Sequence, residues 1–485
     1  MIQNLRMRND YWQLLFSPDS VALVGASNTP GSWGFGIMQH LLAPAQRSVY
    51  PVNPTVSEVC GKAAYDSVLD IPNPVDLAVI AVPASQVAGV LGECTQKGVK
   101  AAVIISGGFT ETGEAGRKLE AELVKIARQN DIRFIGPNSM GHADTASKLS
   151  TLAWTGKIAP GPVALISQSG NYGHRIIHNG MSSGIGFSKF ISTGNEADLH
   201  FEDYLEYLAQ DENTRLITGY IEGLREGRRF FQLARETTPG KPIVVIKAGR
   251  TEESARAIKS HTGALAGSEA AYAAAFKQAG VIRVDDDDEL CDVVLALLNQ
   301  PLPRSNRVGI LTIGGGLGVV AAEACEREGL KISPLATSTM EKLDACLPPR
   351  WSHGNPVDMV GISMAENPAA FSSLWALIED ENIDAILLQA PVGLDADRLS
   401  RMFNNEEIKS FQEMERRNLG LLRQRVEEHG KPVLLVKPAL EFATDTEILS
   451  SFRSEGIPVY PDPRRAARVL HHLNRYKRHL KAAGK

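Results

Sequence analysis

The chain has 485 residues, too many for one ordinary hydrophobic core and enough for about three domains of typical size. With 43% hydrophobic and 22% charged residues and a formal net charge of -5, it has a globular composition and no polycationic surface for nucleic acid. Cys60, Cys94, Cys291, Cys325 and Cys346 stand singly without C-x-x-C spacing, which argues against a disulfide framework or a cysteine-rich zinc centre and for a cytoplasmic protein.

The opening "MIQNLRMRNDYWQLLFSPDS" is too polar for a signal peptide, and no later run approaches a membrane span. "SVALVGAS" (20–27), "SVYPVNP" (48–54), "DLAVIAVP" (76–83), "AAVIISGG" (101–108) and "IRFIGPN" (132–138) are short apolar runs, each closed by Gly, Pro, Ser or Asn. Helical stretches such as "GRKLEAELVKIARQN" separate them, which is the rhythm of βαβ units with a parallel sheet covered on both faces. In such sheets ligands sit outside the carboxyl ends of the strands, where these clusters fall.

A second unit runs from "GPVALISQSGNYG" (161–173) through "KPIVVIKAG" (241–249) to "AGVIRVDDDDELCDVVLALL" (279–298). A third runs from "NRVGILTIGGGLGVVAAEAC" (306–325) through "KPVLLVKPA" (431–439) to "EGIPVYPDPRRAARVLHHL" (455–473). They match in kind and order, so a duplicated flavodoxin-like module is expected, with domains at 1–145, 146–300 and 301–485. Lys241 to Ala279 spans 38 steps where Lys431 to Glu455 spans 24, so the second unit carries 14 more. The extra residues fall where "RTEESARAIKSHTGALAG" places His261 between small, flexible neighbours. Long connections at the ligand-binding edge of a sheet are where chemistry tends to be carried.

The first unit's Gly25, Gly31, Gly34 and Gly36 do not space as G-x-G-x-x-G, and "YPVNP" lacks the acid that would hold a nicotinamide ribose. The turn, with Ser27, reads as a phosphate-holding start of a helix or as a structural turn. "SQSGNYGHRI" follows a strand and opens a helix whose amides from Ser169 to Gly173 suit an anion. His174 and His178 lie four apart, but without an H-E-x-x-H glutamate no metal site is expected. An imidazole such as His261 can accept a phosphoryl group and pass it on, given a held phosphate and an acid to orient its other nitrogen. Glu222 in "YIEG", at the end of a strand, is the candidate acid.

"VALVGAS", "PGSWG", "YPVNP", "GPNSMG", "ISQSGNYG", "STGNEADL", "YIEG", "KSHTGALAGSEAAYAAAFKQAG" and "NPVDM" together resemble the ADP-forming acyl-CoA synthetases, relatives of succinyl-CoA synthetase, over nearly the whole chain. The resemblance implies an α/β protein with an N-terminal Rossmann-like CoA-binding domain followed by two flavodoxin-like succinyl-CoA-synthetase-type domains. It implies acyl-CoA, ADP and phosphate made from a small carboxylic acid, CoA and ATP through an acyl phosphate and a phosphohistidine. His261 falls on the phosphorylated histidine and Glu222 on its supporting carboxylate. Ser167, Ser169, Gly170, Asn171 and Gly173 fall on the phosphate-holding helix start, and Asn138 on the loop near the thioester centre. Gly25, Ser27, Gly31 and Gly34, with Pro51, Val52 and Asn53 of "YPVNP" and Val82 and Pro83, fall on the coenzyme A site.

Two departures stand out. Asn171 and Tyr172 replace the small pair common after "SQSG", and Ser139 and Met140 stand where a cysteine–leucine version is common. Both point to an unusual, polar acid substrate. No "GxxxxGK[ST]" is present and no stretch is left for an ATP-grasp domain, so the chain reads as an alpha-type subunit. A beta-type ATP-grasp partner is expected to supply ATP and Mg²⁺, in an alpha2beta2 heterotetramer. Other readings are a nucleotide-independent CoA-linked acyl or carbamoyl transferase, a non-enzymatic CoA sensor and, least, an NAD-dependent oxidoreductase.

Overall fold

The computed structural model describes residues 11–43, 47–153, 156–254, 256, 268–359, 367–389, 400, 404–437, 452 and 455–484. The chain divides into two compact units, Met1–Asp287 and Asp288–Lys485. His261 lies outside the described residues.

The first unit holds two sheets. In one, β1 (Ser20–Val24), β2 (Ser48–Val52), β5 (Leu77–Ile80), β6 (Ala101–Ile104) and β7 (Arg133–Ile135) are all parallel in the order β2-β1-β5-β6-β7. A two-stranded ribbon of β3 (Glu58–Val59) and β4 (Lys62–Ala63) stands apart. Every residue of "SVALV", "LAVI" and "AAVI" is buried, as expected of strands covered on both faces. Helices α1 (Trp33–Leu42), α2 (Ala84–Lys97) and α3 (Glu114–Asn130) connect them, each with a buried apolar stripe such as Val87, Leu91 and Cys94 on α2. Gly98, in the left-handed region with φ 86°, ends α2 by donating its N–H back to Cys94 and Thr95 carbonyls.

The second sheet contains β8 (His142–Asp144), β9 (Leu149–Ser150), β10 (Pro160–Ser167), β11 (Phe187–Ser192), β12 (Leu216–Ile221), β13 (Ile243–Lys247) and β14 (Ile282–Val284), in the order β14-β13-β12-β10-β11-β8-β9. The last two form an antiparallel hairpin on an otherwise parallel sheet. Helices α4 (Gly170–Ser182), α5 (Phe201–Gln210), α6 (Gly227–Thr237) and α7 (Glu269–Ala279) join this sheet. One continuous core, including Leu23, Val79, Ile135, Ile166, Ile191, Phe201, Val245 and Phe276, joins the two sheets of this unit. Lys189, on β11, is buried between Asp144 and Asp211, with Nζ 3.0 and 2.8 Å from their carboxylate oxygens.

In the second unit β15 (Arg307–Thr312), β16 (Lys331–Ile332), β18 (Ala385–Gln389), β19 (Val433–Val436) and β20 (Val459–Tyr460) run parallel in the order β16-β15-β18-β19-β20, with β17 (Val357–Asp358) on β15. Its helices among the described residues are α8 (Asp287–Asn299), α9 (Gly315–Arg327), α10 (Thr337–Cys346), α11 (Asn367–Glu379), α12 (Asn405–His429) and α13 (Pro463–Ala482). Arg465 of α13 binds the Asp292 carboxylate of α8 through Nε at 2.6 Å and Nη2 at 2.8 Å. Taken by their main parallel strands, all three sheets have the doubly wound order 2-1-3-4-5, so each has its switch point beside its first strand. No described helix is long and apolar enough to cross a membrane.

Candidate active site

At the first switch point the chain leaves β1 through Gly25, whose φ of 89° and close approach to β5 admit no side chain: a Cβ there would lie 2.3 Å from the Ala81 carbonyl oxygen. Gly34, in the first turn of α1, is tied as closely, since its Cβ would lie 2.0 Å from the Gly25 oxygen. Asn53 braces the same turn by donating Nδ2 to the Ala26 oxygen at 2.8 Å. Ser27 accepts from the Thr29 N–H at 3.0 Å, and Ser32 caps α1 by accepting from the Phe35 N–H. Val82 and Pro83 follow β5, where the Ser106 hydroxyl donates to the Val82 oxygen at 2.5 Å. The result is a helix start and a bare main-chain turn at the carboxyl end of the sheet, the arrangement that lets backbone approach a phosphate. Because backbone cannot yield as a side-chain end can, Gly34→Ala is expected to destabilise this unit by about 2 kcal/mol or more. A thermal melt lowered by several degrees checks it.

A cavity of about 510 Å³ opens at the carboxyl ends of both sheets of this unit. Ala81 and Val82 come to it from β5, Ser106 and Gly107 from β6, Asn138 and Met140 from β7, and Gln168, Ser169, Gly170 and Asn171 from β10. Asn138 is exposed and in the left-handed region with φ 57°. Its N–H donates to the Ser106 oxygen at 2.8 Å and its side chain to Asn195 Oδ1 at 3.3 Å. Asn195 is in turn held by Glu111 at 2.6 Å and Glu120 at 2.9 Å, a rigid support for an amide beside a cavity. A larger cavity of about 650 Å³, between α1 and the β8–β9 hairpin, is lined by neither Asn138 nor Glu222.

Ser169 caps α4, accepting from the Tyr172 N–H, so the first turn of α4 presents its free amides to the cavity. Ser167 and Gly173 lie beneath that turn. The Ser167 hydroxyl donates to the Ser169 oxygen at 2.6 Å, and a Cβ on Gly173 would meet Ser167 at 2.7 Å and Phe190 at 2.8 Å. Of the two sequence departures, Asn171, Ser139 and Met140 line the cavity and Tyr172 does not. The Ser139 hydroxyl is spent on the Ser192 oxygen at 2.5 Å and the Gly141 N–H at 2.9 Å. Tyr172 packs at a tilt against Tyr220, ring centres 4.5 Å apart, and donates to Asp287 at 3.3 Å instead of lining the cavity.

Glu222 is buried just past β12, beside β10 at the second switch point. Gln168, whose role the motif reading passed over, spans that point with one amide group. Its Oε1 accepts from the Glu222 N–H at 2.6 Å and the Gly223 N–H at 3.0 Å, and its Nε2 donates to the Gly223 oxygen at 2.7 Å. The signal was the polar residue between two serines at a strand end, but its partners are more than fifty residues away. Both described ends of the segment that carries His261 converge on the same turn. Lys247, before the segment, donates to the Glu222 oxygen at 2.9 Å; after it, the Tyr272 hydroxyl accepts from the Leu224 N–H at 3.2 Å.

Cys94 and Cys325 are buried, which pushes their thiols up to about 12 and leaves neither a ready nucleophile. Among the described residues no three His, Cys, Asp or Glu side chains gather as a metal would need.

Residues 19–144 match the family described as CoA binding domain, and residues 160–297 the succinyl-CoA ligase like flavodoxin domain. The chain is 40% identical to the acetate–CoA ligase (ADP-forming) II subunit alpha of Pyrococcus furiosus, over 94% of its own length and 96% of that protein's. It is equally 40% identical to subunit alpha of ligase I from the same organism, over 96% and 98%. Among solved structures it is similar, with a TM-score of 0.83 and 34% identity, to a dinucleotide forming acetyl-coenzyme A synthetase 1 of Ca. Korarchaeum cryptofilum in complex with phosphate and ADP, covering 97% of this chain and 98% of that one.

Proposed function

The chain belongs to the ADP-forming acyl-CoA synthetases, and from that membership we propose that it is the subunit in which a small carboxylic acid, phosphate and CoA react, with His261 carrying the phosphoryl group. The class of reaction is acid–thiol ligation. The observation that carries the residue assignment is the convergence of both ends of the 248–268 segment on the Glu222 turn, next to the helix start that faces the cavity.

A carboxylate is a poor acyl donor because its leaving group would be oxide, whereas an acyl phosphate offers the CoA thiolate a good one. In the reverse direction phosphate oxygen attacks the thioester carbonyl, the C–S bond breaks and CoA thiolate leaves. The His261 imidazole then attacks phosphorus, and the P–O bond to the acyl group breaks to release the carboxylate. The first turn of α4 and Asn171 hold the phosphate, whose charge the free amides and helix dipole favour. Asn138, fixed by Asn195, directs an amide at the reacting carbonyl. Glu222 accepts from the imidazole N–H opposite the attacking nitrogen and stabilises the cation that forms. The Gly25–Gly34 turn, with Asn53 and Val82, receives the phosphates of CoA. An ATP-grasp partner supplies ATP and Mg²⁺ in an alpha2beta2 assembly, consistent with relatives that bear the name subunit alpha.

The test is to offer the purified chain a panel of short acyl-CoAs, acetyl-CoA included, with [³²P]phosphate. A base-stable, acid-labile label on the protein is expected, since a P–N bond hydrolyses in acid where a phosphoester survives. A folded chain that binds CoA yet stays unlabelled across the panel, with the partner added, would overturn the reading.

A further inference from the structure

Lys247, the last residue of β13, is a buried cation to which the scheme above gives no task. Its side chain is 4% exposed, donates to the carbonyl oxygens of Glu222 at 2.9 Å and Ala248 at 2.5 Å, and has its Nζ 4.6 Å from the centre of the Tyr272 ring. Among the described residues no carboxylate forms an ion pair with it. Burying an ammonium against two carbonyls and a ring is costly, and a methionine of similar length would fill the space without that cost. Such an arrangement calls for a function.

The function is legible in what the ammonium holds. The Glu222 N–H is taken by Gln168 Oε1 and the Glu222 carbonyl by Lys247 Nζ, so the peptide groups on both sides of the Glu222 Cα are fixed by side chains from two different strand ends. Tyr272, against which the ammonium packs, fixes the Leu224 N–H two residues on. With both flanking peptides pinned, the direction in which the Glu222 carboxylate leaves the main chain is set before any substrate arrives.

We propose that Lys247 is a positioning residue for phosphoryl transfer, its ammonium holding the Glu222 main chain so that the carboxylate meets the histidine of the 248–268 segment. The inference rests on the assignment of His261 and Glu222 above and adds a residue to it. Burial lowers the Lys247 pKa to about 8, helped by the nearby Arg283 and Arg250 cations and opposed by Glu269 and Glu222. The ammonium is therefore charged below about pH 8 and gives up its charge above it.

The test is the initial rate of ³²P labelling from acetyl-CoA, or the best substrate of the panel, and [³²P]phosphate between pH 6.5 and 9. The comparison is among the wild type, Lys247→Met and Lys247→Arg, with CoA affinity by calorimetry as control. Wild-type labelling is expected to fall above about pH 8. Lys247→Met is expected to label about tenfold or more slowly at neutral pH, without that fall and with CoA affinity unchanged. Lys247→Arg, which keeps its charge throughout, is expected to hold its own maximal rate to the alkaline end. If Lys247→Met does not fold, the shape of the Lys247→Arg profile decides alone. An arginine variant that falls off as the wild type does would overturn the proposal and direct attention to Glu196, whose carboxyl burial pushes up to about 8. Wild-type rates in Lys247→Met would overturn it as well. A wild type that takes no label under any condition would remove the phosphohistidine assignment itself, and this proposal with it.

Discussion

Replacing His261 by alanine is expected to reduce protein labelling by about three orders of magnitude or more, with CoA affinity unchanged. The size follows from the absence of a substitute. Phosphoryl transfer from an acyl phosphate needs a nucleophile that is also a tolerable leaving group, and at neutral pH imidazole combines the two. Cys94 and Cys325 are buried thiols held far from ionisation. His178 sits exposed on the surface of α4, so His178→Ala should label as the wild type does and serves as the control. The measurement is acid-labile ³²P per chain, with calorimetric titration of CoA on the same samples. Label persisting in His261→Ala and absent from His178→Ala would reverse the assignment.

Lys189→Met is expected to destabilise the first unit by about 3–5 kcal/mol, the cost of leaving buried carboxylates without their cation. Lys189 is 1% exposed, its Nζ is shared between Asp144 and Asp211, and it lies 5.6 Å from the Phe16 ring centre and 5.7 Å from that of Tyr207. Burial would raise the Asp211 pKa, but hydrogen bonds from Lys189 and Thr214 and the lysine charge outweigh it and leave the pKa lowered. The sign then follows. A depressed carboxylate contributes stability above its unfolded pKa and loses it as pH falls through the folded value. The penalty of Lys189→Met should therefore be largest near neutrality and shrink in acid. Denaturant midpoints at pH 7 and pH 4 check both the size and the trend.

The five strands of the first sheet coincide with five apolar runs, and in the three central ones every residue is buried, so no polar face interrupts the run. The β8–β9 hairpin escaped, since strands of three and two residues are too short for any period to show. The site divides the same way. Gly25, Gly34 and the Ser169 cap announce themselves through local backbone needs that only those residue types meet. Gln168 and Lys247 do not, because their partners are main-chain atoms of a turn reached across the sheet, 54 and 25 residues away.

Because α7 begins at Glu269 and is fastened to the Glu222 turn by Tyr272, His261 is close in sequence to a fixed point on its C-terminal side. Seven residue steps lead from His261 to Ser268, and at full extension they span about 24 Å. The sequence separation from Ala248 is nearly twice as long, so the C-terminal side sets the limit. On the proposed assignment, a phosphoryl group on this imidazole stays inside a sphere of that radius centred on Ser268, whatever the path of the chain between them. On that assignment, a partner that supplies the nucleotide is expected to bring its terminal phosphate within that sphere.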